Sequence, residues 1–549
     1  MFYIIDAIGP FFKGIEAKTV NWSKIPFAAL EENGRVNAAR FAEIRKDFKV
    51  FIRKIADIGY NAISLDDLAH LANFDFYHED LQIKIKQYQN EYQKLFHIAK
   101  KAGLSIFINT DIMFYNPAIH RIISRQDQKI INLLKQALEQ IFSLFPVDGV
   151  ITRIGEPDGL DVQDDFLSRV TVKTARQARK YLQDLLPVFE RFNKKLIFRI
   201  WTIGAYQIGD LIWNQKTYDR VFSGLPNGNL IISLKYGQTD FFSHLKLNPL
   251  FFRGFHSKII ELQTRREREG HGLNPYYIGL NYESYFQELK SVPNLAGISV
   301  WCQTGGWSKW KDITFLDNSR VINELNTYAS LKIFKGQLSA NQAIASFFGR
   351  TDYIEFFKKY NRIFRELLYF KGFSDQEFYL RKLRLPPLLW VWWDTITVNP
   401  LGIFLHNFFR VKEHSVCQKN IAELLELGQK LGFSDIDFYC DTLRMLVFCR
   451  EALASQRSLS QLKRLALLHQ NRYPHSYHFK ITEEDFQGKG LLNIFLRLML
   501  RQKPQYRLID RLLMNPFVSN VILILLYLNK KNLPSFVNRK AAPLSLLFK

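Results

Sequence analysis

The chain has 549 residues, a formal net charge of +23, 47% apolar and 15% aromatic side chains, and four cysteines. That length exceeds what one hydrophobic core fills, so two or three domains are expected, and the apolar content excludes a disordered chain. The surplus of Lys and Arg points to acidic partners (polyanionic sugar, anionic lipid or nucleic acid) without choosing among them.

Short apolar strand candidates recur along the first 303 residues. They are Phe2–Ile8, Asn61–Leu65, Leu104–Asn109, Gly149–Arg153, Leu196–Trp201, Leu230–Lys235, Lys258–Leu262 and Leu295–Trp301. Between the first two, "RFAEIRKDFKVFIRKIADIG" repeats apolar residues at helical spacing and ends on glycine, a common helix stop. "QNEYQKLFHIAKKAG" precedes the third strand in the same way, and "TARQARKYLQDLLPVFERF" the fifth. Eight strands alternating with helices predict a (β/α)8 TIM barrel over residues 1–317. An open doubly wound sheet is the alternative, but no glycine-rich phosphate loop follows the first strand. "PYYIGLNYE", Pro275 to Glu283, also reads as a strand, which would make nine, so either it or Lys258–Leu262 lies outside the barrel.

The strand ends are polar. "VDGVITRIGEPDGLD" runs from apolar residues straight into Arg153, Glu156 and Asp158, as a buried strand does when it carries chemistry at its C-terminal end. An exposed charged turn is the plain alternative. Asp6 lies in strand one, Asp66 and Asp67 end strand two, and Asn109 and Asp111 end strand three. Arg199 and Trp201 lie on strand five, Lys235 and Asp240 follow strand six, Glu261 lies on strand seven, and Trp301 and Gln303 end strand eight. Any one of these could be a satisfied structural group. Gathered at one mouth, carboxylates, cations and aromatic faces suit a sugar that bears an acidic group.

The most specific stretch is "NLIISLKYGQTDFFSHLKLNPLF" followed by "IIELQTRREREG"; "LIFRIW" lies upstream and "GISVWCQTGGWSKW" downstream. This ordered run, from about Lys46 to Phe348, resembles the α-glucuronidases of glycoside hydrolase family 67. The pieces that carry the likeness are Lys235, Gly237, Asp240 and Phe241, then Pro249 to Phe251, then Glu261 to Gln263. The resemblance implies an inverting glycosidase without a cofactor. Glu156 would be the general acid, one residue out of register, and Asp240 and Glu261 the carboxylates that activate water. Inversion needs a protonated carboxyl and a carboxylate roughly 6.5–9.5 Å apart, with water between them. Arg199 and Lys235 would hold the uronate, and Trp201 and Trp301 would offer stacking faces. Arg153 would lower the pKa of Glu156 unless it turned to substrate or to Asp158. The chain departs from the family in three places. The separate N-terminal β-domain has no counterpart before strand one, the loop after that strand differs, and Asp66–Asp67 replaces paired asparagines. Two added carboxylates would repel a uronate, or would grip an amino sugar or neutral sugar. A retaining barrel glycosidase is the rival: if Pro275–Glu283 were strand seven, Glu283 would face Glu156 as nucleophile.

From about Asn318 the pattern is helical, giving an expected helical domain over 318–485. "KGFSDQEFYL" from Lys371 and "LGFSDIDFYC" from Leu431 read as two capped helix starts after glycine stops. "PPLLWVWWDT", Pro386 to Thr395, reads as a core aromatic cluster. In the family this helical region walls the cleft and forms dimers, so a homodimer is in view. Residues 486–549 form a basic segment: from Gln487 onward eleven Lys or Arg stand against Asp510 alone, a net of +10. It reads as an amphipathic helix, either packed on the body or docked on an anionic membrane leaflet.

The cysteines (Cys302, Cys417, Cys440, Cys449) lack CxxC spacing, and "MFYIIDAIGPFFKG" has neither a basic leader nor a small-residue cleavage site, so a reduced, cytoplasmic setting is expected. Val521 to Leu528 is too short an apolar run to span a bilayer. The histidines show no paired ligand spacing, so no metal is implied. Three readings follow: a glycoside hydrolase, a sugar-binding barrel without turnover, and a nucleic-acid binder. The last has no recognition motif behind it. Membrane docking predicts that removing residues 486–549 abolishes sedimentation with anionic liposomes. Unchanged sedimentation contradicts it.

Overall fold

The structure, a computed structural model, describes residues 1–15, 25–123, 127–154, 164–168, 171–201, 207–226, 228–238, 240–266, 269, 272, 274–303, 313–316, 319–368, 389–392, 395–398, 418–454 and 467–474. Eight parallel strands close into a barrel: β1 (Phe2–Asp6), β2 (Ala62–Asp66), β3 (Ser105–Asp111), β4 (Gly149–Arg153), β5 (Lys195–Arg199), β6 (Leu230–Lys235), β7 (Ser257–Gln263) and β8 (Leu295–Trp301). Each pairs with its neighbours in sequence, and β1 pairs with β8 to shut the ring. The strands fall where the apolar runs put them. The ambiguity over strand seven is settled by Ser257–Gln263, because Gly279–Leu289 is a helix and Glu283 lies inside it.

Around the ring, α1 (Ala38–Ile58) buries Phe41, Ile44, Phe48, Phe51, Ile52 and Ile55 on one face. Its first turn is capped by the Asn37 side chain, which accepts from the Arg40 amide at 2.9 Å. Its end is Gly59, whose φ of 109° suits glycine. Two further helices, α2 (Glu79–Lys101) and α3 (Asp127–Leu144), follow β2 and β3, and α4 (Ala175–Arg191) starts on a Thr174 cap before β5.

The strand period of two sets the interior. Ile4, Ala62, Phe107, Ile151, Ile197, Ile231 and Ile259, one from each of the first seven strands, form a buried cluster with Phe2 and Ala296 packed on it. Two residues further along the same faces come Asp6, Ser64, Asn109, Arg153, Arg199, Ser233 and Glu261. Greasy floor therefore becomes polar mouth within one pleat of every strand. On β8 the phase is reset by a register irregularity beside Gly297. Past it, Ser299 pairs with Glu261 and Trp301 with Gln263, so Trp301 turns to the mouth. Gly297 has φ 148°, and a Cβ there would fall 1.8 Å from the Phe2 carbonyl oxygen.

This barrel unit comprises Met1–Tyr236, Leu247–Arg265 and Tyr282–Gln337. It runs past residue 317, the boundary read from the sequence, because α5 (Val321–Phe334) is bonded to it. Asn326 Nδ2 donates to the Thr264 carbonyl at 3.1 Å, and the Tyr60 hydroxyl donates to the Thr327 carbonyl at 2.8 Å.

The second unit holds Gly237–Lys246, Arg266–Asn281 and the described residues from Leu338 on. Its helices are α6 (Ala340–Phe348), α7 (Asp352–Leu368), α8 (Gln418–Leu431) and α9 (Ile436–Ala454). Aromatic packing joins them: Phe348 stacks on Tyr353 at 4.0 Å and Phe356 on Phe433 at 4.6 Å. Gly432, with φ 78°, separates α8 from α9 as the Leu431 motif predicts. The helical reading meets one exception, since Leu389–Trp392 and Thr395–Val398 pair as an antiparallel hairpin within the expected aromatic cluster. The Lys371 motif and residues 486–549 lie outside the described residues. No helix among the described residues is long and apolar enough to cross a membrane.

Gly297→Ala is expected to cost more than ~2 kcal/mol by urea denaturation, because backbone stands where the methyl must go. Gly34→Ala, at φ 72° with nothing within 4 Å of the added carbon, is expected to cost only about 1 kcal/mol. Equal costs contradict the bulge.

Candidate active site at the barrel mouth

A small cavity opens at the C-terminal ends of the strands, lined by Asp66, Asp67, Asn109, Thr110, Asp111, Ile151, Arg153, Arg199 and Trp301. All of these lie in the barrel unit. Strand register explains the set: Asp66 pairs with Asn109, Asp111 with Arg153, and Arg153 with Arg199.

Its walls are built from ion pairs. Arg199 Nε and Nη2 donate to the two oxygens of Glu261 at 2.9 and 2.8 Å, and Ser233 Oγ donates to Glu261 Oε1 at 2.9 Å. Among the described residues this side-on grip gives Arg199 Nη1 no hydrogen bond, and the guanidinium lies 4.5 Å from the centre of the Trp301 ring. Glu261 is 1% exposed. Burial alone would push its carboxyl up, but Arg199, Lys235 and the Ser233 hydroxyl hold it below the usual carboxylate range. Across the mouth, Arg153 Nε donates to Asp111, which also accepts from Ser168 Oγ. Asp158, the other carboxylate expected to take up Arg153, lies outside the described residues. The ammonium of Lys235 stands 3.4 Å from the centre of the Trp201 ring.

Asp66 and Asp67, joined by a cis peptide bond, are both held. Asp66 accepts from the Ile25 amide and from Asn109 Nδ2, each at 3.0 Å. Asp67 Oδ1 lies 2.8 Å from His70 Nδ1, and His70 Nε2 lies 2.8 Å from Asp164 Oδ1. Asp6 sits deeper and accepts from the amides of Cys302 and Gln303. Burial raises its carboxyl to about 6 against those hydrogen bonds. Asn109 Oδ1 and Trp301 Nε1 are buried without a hydrogen-bond partner among the described residues.

Of the three carboxylates expected to carry catalysis, Glu261 is in the barrel wall. Glu156 lies outside the described residues. Asp240 belongs to the second unit, where it is buried and its Oδ1 accepts from the Phe241 amide at 3.2 Å. That loop is clamped within its own unit: Arg266 Nη2 donates to the Phe241 carbonyl and Glu269 accepts from the Ser243 amide, both at 2.8 Å. Glu283, the rival nucleophile, is a half-buried helical residue rather than a strand end. Sequence reasoning missed His70, Asp164 and Ser168. The spacing of Asp67 and His70 in "DDLAH" was the one local signal; nothing local announces a partner 94 residues away. Among the described residues no group of three His, Cys, Asp or Glu side chains is placed to hold a metal ion.

No protein-family model matches the chain, and no curated protein matches it. Solved structures with similar barrels include a GH138 enzyme targeting pectin rhamnogalacturonan II, at 10% identity and TM-score 0.44. That match covers 81% of this chain but 57% of the other, so this chain spans little more than half its length. A mutant of the Thermobaculum terrenum O-GlcNAc hydrolase matches at 11% identity and TM-score 0.38, over 85% of this chain and 92% of that one. A D-allulose 3-epimerase from Methylomonas sp. matches at 14% identity and TM-score 0.32, over 61% and 98%. These are distant likenesses.

Glu261→Ala leaves the Arg199 guanidinium buried and unpaired and is expected to cost about 3–5 kcal/mol. Because the Glu261 carboxyl is held low, its contribution is present above pH 4.5 and lost as pH falls. Denaturation midpoints of wild type and variant should therefore converge in acid. A gap that stays constant down to pH 3 contradicts the pairing.

Proposed function

We propose that this chain is a glycoside hydrolase whose substrate enters the barrel-mouth cavity. One observation carries the reading: three carboxylates (Asp66, Asp67 and Asp111), two arginines and an indole share that cavity at the end of the barrel where chemistry is placed. Hydrolysis of a glycosidic bond needs an acid at the leaving oxygen and a carboxylate to activate water or stabilise the cationic sugar. An aromatic wall and buried hydrogen-bonding groups suit a hydroxyl-rich ring.

The finer assignment rests on the ordered resemblance to the α-glucuronidases: inversion, with Glu156 as general acid and Asp240 as the base that activates water. Glu261, whose two oxygens are taken up by Arg199, serves in this proposal to fix that guanidinium. Arg199 Nη1 and Lys235 then meet the acidic group of a uronate-bearing oligosaccharide.

A sugar-binding barrel without turnover is the second reading. It is favoured by the fact that Arg153 and Arg199 are each already paired with a wall carboxylate.

Incubation with a panel of uronate-bearing and neutral oligosaccharides, read by proton NMR, tests both. The expected outcome is release of a sugar whose first-formed anomer is inverted, with Glu156→Gln and Asp240→Asn each lowering kcat by at least ~100-fold. A retained anomer contradicts inversion. Binding of the same sugars without release by the wild type replaces hydrolysis with the second reading.

A further inference from the structure

We propose that His70 is a positioning residue: it fixes the cavity carboxylate of Asp67 and fastens Asp164, at the return end of the loop after β4, to the loop after β2. Calling Asp67 a substrate-facing group rests on the function proposed above; the fastening of the two loops does not.

The case is geometric. Both ring nitrogens of His70 stand 2.8 Å from a carboxylate oxygen, Nδ1 from Asp67 and Nε2 from Asp164. A neutral imidazole has one N–H, whereas a carboxylate can only accept, so two such contacts require the imidazolium. The ring is buried at 2% exposure. Phe27 stacks on one face at 3.6 Å, and the Phe166 and Tyr88 rings meet it edge-on at 5.0 and 5.7 Å.

Among the described residues, further charged groups pack close by. Beside Asp67 lies Asp66, held by the Ile25 amide and Asn109. Beyond Tyr88, whose hydroxyl donates to Glu31 at 2.8 Å, Lys84 bridges Glu31 at 2.6 Å and Asp165 at 2.7 Å. Asp164 and Asp165 are thus pinned side by side, one by His70 and one by Lys84. Just beyond them Ser168 donates to Asp111, and Leu167–Ser168 pairs with Phe114–Tyr115. Segments after β2, β3 and β4 are thus bonded to one another beside the cavity that Asp67 and Asp111 line.

Burial alone would lower the His70 pKa, but Asp164 and Asp67 raise it to about 10. With the folded value above the ordinary 6.5, the link is fully present below pH 6.5 and is lost as pH rises through about 10. Across the neutral range the contact that orients Asp67 therefore persists.

The test uses the full-length protein labelled with nitrogen-15 in histidine, with the His70 signal assigned by its loss in His70→Gln. At pH 8 the His70 ring should carry protons on both nitrogens; a neutral ring overturns the proposal. By hydrogen exchange, His70→Gln should speed residues 164–168 at least ~10-fold while β5 and β6 are unchanged. Asp164→Asn should do the same if the first variant folds poorly. Unchanged exchange in a folded variant overturns the link. Where the wild type turns over a glycoside, His70→Gln should lower kcat/KM at least ~10-fold, because the direction of the Asp67 carboxylate is no longer fixed. An unchanged kcat/KM removes Asp67 from the argument. If no glycoside is cleaved, the proposed function falls, while ring protonation and exchange still decide the link.

Discussion

Inside a closed ring of parallel strands every second residue faces the axis, and neighbouring strands must agree on which residues those are. That agreement governs everything else in the barrel unit. It stacks seven apolar side chains into a floor and, two residues on, presents Asn109, Arg153, Arg199, Ser233 and Glu261 at the mouth. The same rule explains Gly297. Without its bulge, the phase of β8 would turn Trp301 away from the cavity it lines.

Once polar groups are forced inward, electrostatics decides how they are arranged. A buried charge is tolerated only when it is paired and hydrogen-bonded. Arg199 with Glu261, Arg153 with Asp111, and His70 between Asp67 and Asp164 are three solutions to that problem around one opening. Asp66 and Asp67 are both held by the protein: the first accepts from an amide and an asparagine, and the second lies 2.8 Å from a ring nitrogen of His70.

The barrel was legible because its signal is local and repeated. Apolar runs of about five residues, separated by amphipathic helices with capped ends, need no knowledge of distant partners. The nine-strand ambiguity turned on "PYYIGLNYE", where apolar residues alternate as in a strand, yet Gly279 to Leu289 coil into a helix with Tyr282, Tyr285 and Leu289 buried. Single-face burial over a short stretch satisfies either period. Site residues on strands were legible as positions, but their roles were not. Glu261 reads, through the resemblance, as a carboxylate that activates water; its ion pair with Arg199, 62 residues away, leaves no local sign. His70 stayed silent because its second carboxylate lies across a long loop, and pairings at such separation leave no periodic trace.

The central claim is that the cavity of Asp66, Asp111, Arg199 and Trp301 is where a sugar binds. It is tested most directly by a crystal structure of the full chain grown with a monosaccharide product or a sugar-ring inhibitor. The account predicts a sugar ring in that cavity, against the wall formed by Trp301, with one oxygen within about 3 Å of Arg199 Nη1. A sugar bound anywhere else on the molecule, with this cavity holding only water, contradicts it.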